Sequence, residues 1–172
     1  MKENFIPKEL VAHFSASSAR GQIINVFASL ETHLDIFLGQ HFCTHEDKKD
    51  QMLNLVLSRI TFDNKRAIFK FLIDNYYTKW LAKYPDFNAA IKDISDERNI
   101  FAHYTMDTTL EGIDYMVNSR NVVFIKFKNQ RERIEYSEQR INELIGKISK
   151  WAEAIAELIK FDDNSNAVTS TQ

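Results

Sequence analysis

Turn chemistry is what this chain lacks. Four glycines and two prolines in 172 residues leave long stretches of Leu, Ile, Phe, Lys and Glu unbroken. A many-stranded sheet or a glycine-rich phosphate loop needs such breaks. The chain is therefore expected to be mainly α. With 44% apolar residues it can fill one core, and it is too short for two comfortable domains.

Periodicity places the elements. Residues 1–17 read as a leader with a short helix opening at Pro7, since proline is tolerated in a first turn. Over residues 18–42, Ile23, Phe27, Leu30, Leu34 and Phe37 recur at three- and four-residue steps, the stripe of a core helix. A polar break over 39–49 precedes a short helix over 50–59. Asp63 is the expected N-cap of a helix reaching 81, with Ile68, Phe69, Phe71, Leu72 and Tyr76 inward. Tyr84-Pro85-Asp86 separates it from a helix that starts at Phe87, ends at Ala102 or His103 and buries Ala90, Ile91, Ile94 and Phe101. Beyond it, residues 112–117 and 122–127 are β-prone and 118–121 is turn chemistry, which predicts a small hairpin. Ser137 then caps a last helix reaching Phe161, with Ile141, Ile145, Ile148, Ala152, Ile155 and Ile159 at heptad-like steps and Leu144, Trp151 and Leu158 beside them. Residues 162–172 are polar and expected to be disordered, leaving one domain over 18–161.

The run Asp96-Glu97-Arg98-Asn99-Ile100-Phe101-Ala102-His103 carries the candidate chemistry. Four residues apart on a helix, Asn99 and His103 share a face, and Arg98 lies one step round, so all three can address one small anion. Arg98 can fork two hydrogen bonds onto phosphate oxygens, and histidine is the side chain that exchanges a proton near neutrality.

This run resembles the Arg-x4-His signature of the HEPN family (higher eukaryotes and prokaryotes nucleotide-binding), in which the arginine is often followed by Asn, as by Asn99 here. The resemblance implies a mainly α, HEPN-like helical bundle of about five helices; the small β-hairpin inserted before the last helix departs from that plan. It further implies a metal-independent endoribonuclease without cofactors, acting as a homodimeric toxin or defence effector on RNA, with room for an antitoxin or defence-system partner. His103 would be the general acid or base, Arg98 would neutralise the scissile phosphate, and Asn99 would orient the histidine or the phosphate. Glu31, on an early helix, is the candidate to position Arg98. Two other readings stay open. Arg98 could pair with a carboxylate while His103 serves as a cation at a helix C-terminus, an arrangement worth about 0.3–1 kcal/mol. Alternatively the chain is a non-catalytic dimeric module that binds a nucleotide or a protein partner.

A net charge of −2 gives no global attraction to a polyanion, so RNA binding must be local. Lys126, Lys128, Arg131 and Arg133, interleaved with Phe124, Phe127 and Tyr136, form the candidate RNA-binding patch, and equally describe an ordinary solvated hairpin. Lys65, Arg66 and Lys70 make a weaker one. His41-x-Cys43-x-His45 lacks the second ligand pair of a structural zinc site, so no metal is expected. A single cysteine excludes an intrachain disulfide. With no signal peptide and no apolar run long enough to span a bilayer, the chain is expected in the cytoplasm and off the membrane.

Overall fold

The computed structural model describes residues 6–127 and 130–169, with side chains described through Lys160. The fold is mainly helical, with a small three-stranded antiparallel sheet before the last helix. The described residues form helices α1 (Lys8–Phe42), α2 (Glu46–Gln51), α3 (Phe62–Tyr76), α4 (Thr78–Lys83), α5 (Phe87–His103), α6 (Leu110–Ser119) and α7 (Glu138–Thr169). The strands are β1 (Thr105–Met106), β2 (Val122–Phe127) and β3 (Arg131–Tyr136), in the order β1-β2-β3.

Several boundaries differ from expectation, each for a local reason. The leader is not separate: α1 begins at Lys8, because buried Ala12, Ala16 and Ala19 extend the stripe of Ile23 and Phe27 backwards at the same spacing. The helix expected over 50–59 is instead α2, one π-helical turn (Met52–Val56) and one 3₁₀ turn (Leu57–Arg59). Thr61, not Asp63, caps α3, its hydroxyl accepting from the amide of Asn64 at 3.4 Å. That helix stops at Tyr77, whose φ of −123° and ψ of 40° are not helical, and α4 follows. Phe71 and Tyr76 face solvent, and Lys65, expected in a surface patch, is buried.

The largest correction concerns residues 112–117, which lie in α6 rather than a strand. Thr109 is its N-cap, its hydroxyl accepting from the amide of Gly112 at 3.1 Å. Ile113 and Met116, three apart, form its buried face, and Arg120 ends it in the left-handed conformation at φ 59°. The turn-like 118–121 is thus largely a helix terminus. The hairpin is made instead by β2 and the charged strand β3, in the register Val122↔Tyr136 to Phe127↔Arg131. Ser137 caps α7 as expected, accepting from the amide of Arg140 at 3.2 Å. That helix runs past Phe161 to Thr169, into the stretch expected to be disordered.

The chain divides into two compact units. The first joins Met1–Phe27 to Ile94–Lys147. Its core stacks Phe101 of α5 on Phe124 and Tyr136 of the sheet, with ring centroids 5.2 and 4.5 Å apart. The second unit joins Ala28–Asp93 to Ile148–Gln172. Here Phe69 is the hub, 4.9 Å from Phe37 and 5.1 Å from Phe87, and the Trp80 indole N–H donates to the carbonyl of Ala154 at 3.0 Å. Within α7 the buried line is Leu144, Ile148, Trp151, Ile155 and Leu158; Ile141, Ile145 and Ile159 are its half-buried flanks.

Candidate functional site

The last three turns of α5 belong to the first unit and carry every residue of the Arg-x4-His run. Phe101 fixes their rotation, being fully buried among the sheet aromatics. Glu97 holds the same turns from the side. It accepts a hydrogen bond from the buried Tyr136 hydroxyl and a second from Arg140 at 3.0 Å, while the Arg140 guanidinium lies 4.2 Å from the Tyr136 ring centre. Burial, and then the Glu97 carboxylate, push the Tyr136 phenol well above its ordinary pKa.

Arg98 is half-buried, its guanidinium 5.2 Å from the Phe27 ring centre and donating to Asn99 Oδ1 at 3.2 Å. No carboxylate among the described residues pairs with it, and its buried Nε has no acceptor. The guanidinium thus lies between the Phe27 ring and the amide of Asn99. His103, the final residue of α5, is exposed and makes no hydrogen bond or ion pair to a described residue. Immediately after it, Arg20 of α1 donates to the carbonyl of Tyr104 and rests 4.9 Å from the Phe124 ring centre.

The other expected site residues fare differently. Glu31 accepts from Lys65 at 2.8 Å, as does Asp35 at 2.8 Å, so within the second unit its partner is a buried lysine. Burial works against the charge of that lysine, but the two carboxylates outweigh it and raise its pKa. Lys126 faces Glu132 across the strands at 3.9 Å. Arg131 and Arg133 converge on Asp107, at 2.7 and 3.3 Å, so much of the expected basic patch is spent on a buried carboxylate. Lys128 lies outside the described residues. His41 Nδ1 is 2.9 Å from the Tyr77 hydroxyl, within an aromatic cluster. Among the described residues no group of three or more His, Cys, Asp or Glu is placed to hold a metal, and no helix is long and apolar enough to cross a membrane.

Sequence reasoning missed Asp107 and the cavity beside it. Asp107 is 1% exposed, and its Oδ1 accepts from the amide and hydroxyl of Thr109 at 3.1 and 2.7 Å and from Arg131. Burial raises its pKa, but these donors and Arg133 outweigh it and hold the carboxyl below the usual aspartate range. The adjoining cavity, about 680 Å³, is lined by His13, Ser17 and Arg20 of α1, by residues 105–109, and by Ile125, Phe127 and Arg131 of the sheet. The signal available in the sequence was the spacing of His13, Ser17 and Arg20, which places them on one side of a helix once residues 8–17 are read as helical.

No protein-family model matches this chain, and no curated protein or solved structure matches it.

Proposed function

We propose that this chain is a metal-independent endoribonuclease of the HEPN type, a toxin or defence effector that cuts RNA with Arg98, Asn99 and His103. The observation that carries the reading is the guanidinium of Arg98. It is bound to a neutral amide rather than neutralised by a described carboxylate, on the helix end where His103 stands exposed. A cation kept in that state is available to a phosphate, and imidazole is the group suited to move the proton.

In this mechanism His103 takes the proton of a ribose 2′-hydroxyl, or gives one to the leaving 5′-oxygen. RNA supplies the nucleophile itself. Arg98 offsets the charge that builds on the phosphorane oxygens, and Asn99 holds the guanidinium in place. Two copies of the chain would set two such helix ends along one groove, concentrating positive charge that the net charge of −2 does not supply.

Purified protein incubated with tRNA or mRNA in EDTA should cut it, and His103→Ala should lower the rate by about 10²–10⁴-fold. Equal cutting by that variant would assign the activity elsewhere. The second reading, a binding module without catalysis, draws on the partial burial of Arg98 and its sealed Nε, which limit how far the guanidinium can follow a reacting phosphate. Intact RNA together with a nucleotide-dependent rise in Tm would favour it.

A further inference from the structure

Cation and acid are unequally distributed around the cavity beside Asp107. Its lining holds two guanidinium groups, Arg20 and Arg131, and the imidazole of His13, against the single carboxylate of Asp107. That carboxylate already pairs with Arg131 at 2.7 Å and Arg133 at 3.3 Å and accepts two bonds from Thr109, so cation remains in excess. Arg20 is a cation whose hydrogen-bond partner is a neutral carbonyl. A guanidinium has five N–H donors in a fixed fork, so each arginine is tethered through one while others remain for a ligand.

The rest of the lining is mainly apolar. Thr105 pairs with Ile125 and Phe127 with Arg131, and Ile125 and Phe127 are two apart on β2, so all four share one side of the sheet. Phe127, also part of the lining, is 75% exposed, an aromatic ring that the described chain leaves largely uncovered. Ser17 and Thr108 add hydroxyls to the lining. The volume falls within the range of about 300–1,000 Å³ typical of small-molecule clefts.

We propose that this cavity binds a phosphorylated nucleoside unit, with Arg20 and Arg131 on the phosphate and the base against the wall of Ile125 and Phe127. An anion alone would leave the ring without purpose, and an apolar ligand alone would leave Arg20 without a counter-charge and Arg131 sharing one carboxylate with Arg133. A base carrying a phosphate satisfies both. Thr105 is two residues beyond His103, and Arg20 holds the carbonyl between them, so a nucleotide seated here lies beside the end of α5. The proposal goes beyond the ribonuclease reading and does not require cleavage: the unit can be a free nucleotide or one residue of an RNA strand.

The test uses the full chain and two probes, nucleoside 5′-monophosphates by calorimetry and a fluorescent 2′-O-methyl oligoribonucleotide, which cannot be cut, by anisotropy. Ser17→Trp fills the cavity from an exposed position, and Phe127→Ala removes the ring from another. Each should weaken binding by about tenfold or more at an unchanged Tm. Binding of the monophosphate identifies a free-nucleotide site, and binding of the oligonucleotide alone identifies a subsite for an RNA strand; either supports the proposal. It is overturned if neither probe binds the wild type at millimolar concentration, if Phe127→Ala binds as the wild type does, or if the unphosphorylated nucleoside binds as tightly as its monophosphate. His103→Ala should retain binding whether or not it retains cutting, so the two ideas fail separately.

Discussion

Gly112 sits so close to Asp107 that a β-carbon there would lie 2.7 Å from both carboxylate oxygens. The first turn of α6 is thus shaped around a buried charge. Overpacking of this kind costs typically about 1–3 kcal/mol, so Gly112→Ala should lower stability by that amount in urea titration. Gly146, in the interior of α7, is the control, because a β-carbon there would meet nothing within 4 Å. Alanine at that position should stabilise by up to about 1 kcal/mol, as helix propensity dictates. Equal effects at the two positions would refute the close approach.

Acid should act through Asp107. A carboxyl whose folded pKa is depressed contributes stability above its unfolded pKa of about 3.9 and loses it as pH falls through the lower folded value. The wild type should therefore lose stability below about pH 4 more steeply than Asp107→Asn, which begins less stable at neutral pH. Denaturant midpoints from pH 7 to pH 2 decide the matter; parallel curves would count against this assignment.

Lys65 is 2% exposed between Glu31 and Asp35. Lys65→Met keeps the apolar stem and leaves two neighbouring carboxylates without their cation, at a cost of about 3 kcal/mol. Burial, and also the Glu31 charge, already raise the Asp35 pKa, and loss of the cation that opposes them raises it further. Its deprotonation then disfavours the folded state, so the deficit of the variant should shrink as pH falls toward 4. A deficit independent of pH would mean that packing alone is lost.

Tyr136 donates to Glu97, and Tyr136→Phe should cost about 1–2 kcal/mol at pH 7. The raised phenol pKa gives a second readout. A raised acid contributes stability below its unfolded pKa of about 10 and loses it as pH climbs, because only the unfolded chain ionises there. The wild type should lose more stability than Tyr136→Phe above pH 10, while native phenolate absorbance at pH 11 stays the same in both proteins.

Large apolar residues at helical spacing were legible, and small or charged ones were not. The line from Ile23 to Phe37 marked the middle of α1, but its first turns are buried through Ala12, Ala16 and Ala19, which carry little hydropathy signal. Residues 112–117 mixed glycine with β-prone side chains, and the deciding information was the hydroxyl of Thr109 one turn earlier. Strand β3 is charged at most positions and shows its inward side only through Ile134 and Tyr136. The end of α5 at His103 was legible because Phe101 continues the stripe of Ile91 and Ile94. What surrounds that end was not, since Tyr136, Arg140 and Arg20 reach it from distant parts of the chain.

Arg20 joins three things at once: its own helix, the peptide that leaves α5, and the face of an aromatic ring in the sheet. Under the proposed ribonuclease function, a genetic selection for inactive alleles would recover changes at this arginine alongside those at the histidine eighty-three positions later in the chain. Only the former class should come with a lowered melting point. Sorting such alleles by thermal stability before assaying them separates the scaffold of the helix end from its chemistry.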